Sequence, residues 1–173
     1  MRTAVAISLC AFALSASPSQ AYVIGGRAWP SGSFTYYPQA RGYATAVTRA
    51  ARMLGRAGVG VTLRKASSRS AADVVVAYGG NACEGSALVG YERVGSDLMY
   101  LGRGCSKALV TLTAVHEFGH VLGLDHENRV CARMNPSFDD TGTPTHCKEH
   151  PLSYWLKHPL TGDDLRGLRA LYG

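Results

Sequence analysis

The amino-acid sequence predicts one α+β (mixed α/β) domain, in which helices pack on a mixed sheet of five strands. Its 173 residues, 46% of them hydrophobic and 17% charged, suit a single compact core. The hydrophobic pattern reads strand, helix, four strands and then helices, without repeats or linkers. That order is typical of a mixed sheet carrying helices.

The first predicted elements are a strand and a helix. Residues 33–37 alternate, with Phe34 and Tyr36 on one side, as in a half-buried strand. Residues 41–57 repeat apolar positions at three- and four-residue steps, and Gly58 can stop the helix. An amphipathic helix is therefore expected after the first strand.

Four further strands are expected before the next helix. Residues 59–63 alternate, whereas residues 74–78 are continuously apolar, which is typical of a central strand buried on both faces. The glycine-rich segment 79–104 should hold two short strands, at 88–91 and 98–101.

The end of the chain predicts a capped helix. Thr161 can cap it, and Asp163 and Asp164 lie in the first turn, where the helix dipole favours carboxylates. Its apolar side consists of three regularly spaced leucines, Leu165, Leu168 and Leu171.

Residues 1–21 have the pattern of a secretory signal peptide. Arg2 precedes an apolar stretch at 4–14, and small residues end the segment at Ala21. The stretch is about half the length that spans a bilayer, so no stable membrane insertion is expected. We predict a secreted protein, extracellular or periplasmic, whose catalytic domain covers residues 22–173.

Cysteine usage agrees with export. Cys10 would leave with the signal peptide, and four cysteines remain without the close spacing of a zinc knuckle. Three pairings are open to them. We favour the two sequential disulfides, Cys83 with Cys105 and Cys131 with Cys147.

The net charge of +6 comes from basic residues that are scattered along the sequence, with Arg64-Lys65 as the longest run. Nucleic-acid binding would need a basic stripe with interleaved aromatic residues. We therefore expect a solvated basic surface and no nucleic-acid partner.

The segment from His116 to His126 has the spacing of a metal site. Residues four apart share a helix face, so His116 and His120 can bind one cation. Gly123 can take the positive φ that ends a helix, which lets the chain return His126 to the same point. Three imidazoles leave the fourth position of a zinc ion open, as in catalytic sites. We predict one catalytic Zn²⁺ with these three histidines as ligands.

Glu117 is the predicted general base. It lies about 100° around the helix from His116, so it can reach a water at the open position without binding the metal. It would accept the proton of that zinc-activated water and pass it to the leaving amine. These parts fit the hydrolysis of peptide bonds.

The wording HEFGHVLGLDH resembles the HExxHxxGxxH signature of the metzincin metalloproteases, and in particular that of their matrixin (M10-type) branch. Two later segments agree: residues 131–136 are similar to the metzincin methionine turn, with Met134 as the matching residue, and residues 160–173 resemble the matrixin C-terminal helix. Glu127 and Arg129 resemble the astacin branch instead, although Pro136 stands where astacins have a tyrosine.

The resemblance implies a zincin domain with a twisted mixed five-stranded sheet, an active-site helix, a methionine turn and a C-terminal helix. It implies that Met134 supports the site and is not a ligand. Substrate would lie along an edge strand, here 88–91, beside a pocket walled by residues 136–138. Structural Ca²⁺ also occurs in this family, but the sequence assigns it no residues.

Together these features predict a secreted, monomeric zinc endopeptidase acting on proteins or peptides. Two alternatives remain open: a catalytically silent, zinc-stabilised binding module, and a zinc hydrolase of non-peptide amide bonds. The presence of Glu117 argues against the first.

Overall fold

The structure is a computed structural model that describes residues 21–92 and 97–173. Apart from Ala21, the predicted signal peptide lies outside the described residues. Among those residues, no helix has both the length and the apolar character needed to cross a membrane.

Five strands of the described chain form one mixed sheet in the order β2-β1-β3-β5-β4. The strands are β1 (Ser33–Pro38), β2 (Thr62–Lys65), β3 (Val74–Tyr78), β4 (Gly85–Ala87) and β5 (Asp97–Leu101). Neighbours are parallel except β4, which runs antiparallel to β5 at one edge. The predicted mixed five-stranded sheet is therefore confirmed.

The helices found in the same residues are α1 (Ala44–Gly55), α2 (Lys107–Val121), α3 (Leu152–Trp155) and α4 (Gly162–Tyr172). Helix α1 buries Val47, Ala50 and Leu54 in a core that it shares with α2 and the sheet. Helix α4 begins at the predicted cap, where Thr161 and Asp164 form a reciprocal capping box.

The central strand β3 is buried on both faces, as its continuous apolar run predicted. Val74 and Val76 join the main core, which also contains Phe34 and Tyr36 of β1. Val75 points to the other face, because side chains alternate along a strand, and packs there in a smaller cluster with Ala66 and Ala72.

The second strand begins later than the predicted 59–63. Val59 and Val61 are buried, but Gly58 and Gly60 have φ angles of +67° and +76°. These left-handed conformations interrupt an extended backbone, so pairing with β1 starts only at Thr62.

The prediction of an edge strand at 88–91 was wrong, because the strand at that edge is Gly85–Ala87. Gly90 has a φ of +80°, and its N–H donates to the carbonyl of His120 at 2.8 Å instead of joining the sheet. Leu88 is 48% exposed. The chain therefore leaves the sheet after Ala87 and crosses to α2, which contains His120.

Both predicted disulfides are present. Cys83–Cys105 joins the segment before β4 to the segment before α2, and Cys131–Cys147 closes the loop after the third histidine. In the sequence, one bridge precedes the histidine-containing segment 116–126 and the other follows it.

Candidate active site

Helix α2 brings two histidines and a glutamate to the floor of a cleft. Ser106 caps the helix by accepting a hydrogen bond from the N–H of Leu109 at 3.3 Å. All helical residues from Leu109 onward are buried, so neighbouring elements hold the helix on every side. The rings of His116 and His120 then lie side by side, with centroids 4.8 Å apart.

Gly123 turns the chain back toward the helix. Its φ is +100°, and its N–H donates to the carbonyl of His120 at 2.7 Å. Its carbonyl accepts from the N–H groups of Gly25 and Gly26 at 3.0 and 3.2 Å, which anchors the turn to the start of the described chain. This turn delivers His126 to the other two histidines.

The three histidines converge through their Nε2 atoms. Nε2 of His126 lies 3.3 Å from that of His116 and 3.2 Å from that of His120. The Nδ1 atoms of His116 and His120 each donate to a backbone carbonyl at 2.8 Å, that of Arg133 and that of Leu124. A carbonyl only accepts, so each Nδ1 carries the proton and each Nε2 keeps its lone pair.

The lone pairs of His116 and His120 both face Nε2 of His126, and one cation among the three nitrogens would bind all of them. The donor set therefore fits a metal ion that binds neutral imidazole, as zinc does. Burial lowers the pKa of His116 to about 3 and also lowers the pKa of His120. Both rings consequently stay neutral, and ready to bind a metal, near physiological pH.

Glu117 lies beside the histidines with a buried carboxylate. It is 3% exposed, and its Oε2 has no hydrogen-bond partner in the described part of the chain. Burial raises the pKa of this carboxyl group to about 8. The carboxyl group lines the cleft beside the histidines, and its free Oε2 is placed to exchange a proton with a water there.

Gly85 makes room for this carboxylate, and sequence reasoning missed it. A Cβ added at Gly85 would lie 2.6 Å from Cγ of Glu117. Nothing in the sequence around Gly85 marks it among the neighbouring glycines, since the contact joins residues far apart in the chain.

The cleft has a volume of about 480 Å³ between β4 and the loop after Met134. The predicted wall, Pro136, Ser137 and Phe138, lines one side, and β4 lines the other. The histidines and Glu117 lie between them, so the cleft passes directly over the candidate metal site.

The predicted methionine turn packs against α2 within one turn of the first histidine. Met134 is 2% exposed, and its Sδ would lie 2.5 Å from a Cβ added at Gly119, so the turn packs closely against α2. Asp164 holds the turn, because its carboxylate accepts from the N–H groups of Arg133 and Met134 at 2.8 and 3.1 Å. The sequence identified Asp164 only as a residue of the first helical turn; its contact with the methionine turn was missed.

Comparison with known proteins places this site in a family. The sequence profile described as Astacin, a peptidase family, matches residues 24–135, more than half of the chain, including all three histidines. The chain belongs to the astacin family. The predicted class, a metzincin zinc metallopeptidase, is thereby confirmed.

Matrixins match this astacin-family chain over a shorter segment. Matrix metalloproteinase-27 of Homo sapiens is 37% identical and matrix metalloproteinase-9 of Canis lupus familiaris is 42% identical, each over 62 residues. That segment is 36% of this chain but only 10% and 7% of the two relatives. The match therefore spans about a tenth of these relatives.

Among solved structures, a crystal structure of myroilysin is similar to this astacin-family chain, with 22% sequence identity and a TM-score of 0.48. The alignment covers 65% of this chain and 55% of that one.

Proposed function

We propose that this chain is a secreted zinc-dependent endopeptidase that cleaves protein or peptide substrates, with His116, His120 and His126 as metal ligands and Glu117 as general base. The observation that carries the proposal is the convergence of three Nε2 atoms beside a buried, unpartnered carboxylate. Membership of a peptidase family supports the same proposal.

The chain's own residues prepare the site before any substrate arrives. The carbonyls of Arg133 and Leu124 orient two of the imidazoles and fix their tautomers. Zinc, when bound, supplies Lewis acidity toward a water and a substrate carbonyl. Glu117 accepts the proton of the attacking water on its carboxylate and delivers it to the departing amine nitrogen.

The edge strand β4 is the proposed binding strand for substrate, in place of residues 88–91. One side of β4 pairs with β5, and Gly85, Ser86 and Ala87 line the cleft. An extended peptide can add to such an edge through backbone hydrogen bonds. Residues 136–138 would then wall the pocket for a substrate side chain.

Export is part of the same proposal. The signal-like residues 1–21 and the two disulfides support it, since disulfides persist in oxidising compartments. The division into a signal peptide and a catalytic domain at 22–173, the monomeric state and any calcium requirement stay predictions.

The test is hydrolysis of a quenched-fluorescent protein substrate by the mature chain, with and without a zinc chelator. The Glu117→Ala variant should lose at least about 1,000-fold in kcat/KM while retaining one zinc per chain. Glu149→Ala is the matched control, because Glu149 is an exposed glutamate outside the cleft.

The alternatives predict different results in the same assay. A silent binding module would bind zinc and cleave nothing, and the wild type would then match Glu117→Ala. A hydrolase of non-peptide amides would leave this protein substrate intact but, in a parallel assay, would release fragments from cell-wall material. Either result would overturn the endopeptidase proposal.

A further inference from the structure

A second, larger concavity lies on the side of the molecule formed by α1 and the chain around α3 and α4. Its volume is about 880 Å³, in the upper part of the range of about 300–1,000 Å³ typical of ligand sites. Among its described lining residues, none also lines the active-site cleft. We call it the α1 groove.

The rim of the α1 groove is basic. Five cationic side chains line it, and all of them belong to exposed residues: Arg49, Arg52, Arg56, Lys65 and Lys157. Arg49 and Arg52 lie in α1, and Arg56 directly follows it with a helical backbone conformation, so the three- and four-residue steps place all three on one side over about 10 Å.

The floor of the groove is apolar. It includes Met53, Leu160 and Leu165, each half-buried and packed against the main core. Burying this surface under apolar side chains of a ligand would remove it from water. The groove therefore combines a positive rim with an apolar base.

The charge of the rim is not neutralised by the described chain. No Asp or Glu is among the described residues that line the groove, and none of the five cations forms an ion pair with another described residue. The first acidic residue of the sequence is Asp73, so α1 and β2 lie in a stretch without carboxylates. Like charges on one helix face repel each other, and a bound anion would relieve that repulsion.

We propose that the α1 groove binds a peptide segment in which Asp or Glu residues alternate with apolar side chains. Carboxylates would pair with the rim, and the apolar side chains would cover the floor. A flat bilayer fits a concave site poorly. Single-stranded nucleic acid uses stacking on Phe, Tyr or Trp, none of which is among the described residues of the lining. Residues 1–20 contain no carboxylate to match the rim.

This site goes beyond the proposed peptidase activity and does not depend on it. Binding is measured on the full mature chain carrying Glu117→Ala, so that a peptide cannot be cleaved during the assay. The probe is a fluorescein-labelled 14-residue peptide of alternating Glu and Leu, and fluorescence anisotropy reports its Kd. A second peptide with Ser in place of Leu tests the apolar floor.

The charge-reversal pair Arg52→Glu and Arg56→Glu should weaken binding by about tenfold or more, because both residues face the peptide. The matched control reverses Arg64 and Arg69, which changes net charge by the same amount. Arg64 precedes Lys65 on β2 and therefore points to the opposite face, and neither control residue lines the groove. Binding of the control should change by less than about threefold. Circular dichroism melts establish that both pairs fold.

Three outcomes would overturn the proposal. Equal weakening by both variant pairs would mean unspecific attraction to a basic protein. Equal affinity for the Ser-containing peptide would exclude a role for the floor. Tighter binding to phosphatidylserine vesicles or to single-stranded DNA than to the Glu-Leu peptide would assign the groove to another class of partner.

Discussion

The proposed general base packs directly against a glycine of β4. Glu117 is 3% exposed, and its side chain lies against the backbone of Gly85 on β4. Any larger residue at position 85 would have to displace the carboxylate or the strand. Gly85 is therefore a positioning residue for the proposed general base.

We expect Gly85→Ala to lower kcat/KM by about 100-fold, because displacement of a catalytic group by about 1 Å has effects of that size. Zinc content should be unchanged, since the three atoms nearest to the added methyl group all belong to Glu117 and none to a histidine. Steady-state kinetics and metal analysis measure the two quantities. Gly55→Ala is the control, because a Cβ there meets nothing within 4 Å. Unchanged kcat/KM in Gly85→Ala would contradict this role.

Among contacts between elements, Asp164 connects α4 to the methionine turn through hydrogen bonds of its carboxylate. Besides accepting from Arg133 and Met134, its carboxylate accepts from the N–H and hydroxyl of Thr161 at 2.7 and 2.8 Å. The carbonyl of Arg133 in turn holds His116. The end of the chain thereby controls the orientation of a proposed ligand.

The Asp164→Asn variant should lower the free energy of unfolding by about 2–4 kcal/mol, because the amide NH₂ would face buried donors. Zinc affinity should fall by about 10- to 100-fold, as for other groups that orient a metal-binding histidine. Urea titrations and chelator competition test both effects. Asp140→Asn serves as an exposed control. Reduced stability with unchanged zinc affinity would exclude the proposed link to His116.

A pH effect is expected at the start of β5. Burial raises the pKa of Asp97, and the charges of Glu92 and Asp73 raise it further. The folded state therefore holds this proton more tightly than the unfolded state, and the stability gained below the ordinary pKa is lost as pH rises through the folded pKa. Asp97→Asn should melt at a higher temperature than the wild type at pH 7, with the difference shrinking toward pH 3.5. A lower melting temperature at pH 7 would contradict this assignment.

At the scale of the whole molecule, the two disulfides hold different parts of the cleft. The Cys131–Cys147 loop contains the methionine turn and the wall at 136–138, whereas Cys83 lines the cleft beside β4. Their sequence separations of 16 and 22 residues are similar. Loop entropy alone predicts similar contributions to stability, about 3 kcal/mol each.

Replacing either cysteine pair by serine should therefore lower the melting temperature by a similar amount. Only the variant lacking Cys131 and Cys147 should also bind zinc less tightly, because its loop includes the carbonyl that orients His116. The variant lacking Cys83 and Cys105 should show a raised KM instead. Calorimetry, metal analysis and kinetics separate these effects, and equal zinc loss in both variants would refute the distinction.

The clustering of basic side chains is visible only in the folded molecule. The basic residues are scattered along the sequence, and this spacing predicted an ordinary solvated surface. Folding brings Lys65 of β2 and Lys157, which follows α3, close to the three arginines at α1. Five basic side chains therefore line one groove.

Features of the fold and the site that depend on short-range spacing follow from the amino-acid sequence alone. A four-residue step places His116 and His120 on one helix face, and a glycine three residues later permits the turn to His126. The cap at Thr161 and the buried run of β3 were equally predictable, because helix capping and hydrophobic periodicity are local properties.

Three features become visible only in the folded chain: the strand at the edge of the cleft, the contact that holds the methionine turn, and the groove where the basic side chains meet. Gly90 turns toward α2 because its N–H bonds to His120, and Asp164 reaches Arg133 across 31 residues of sequence. Such contacts depend on how distant segments pack, and a glycine or an aspartate carries no local pattern that specifies its distant partner.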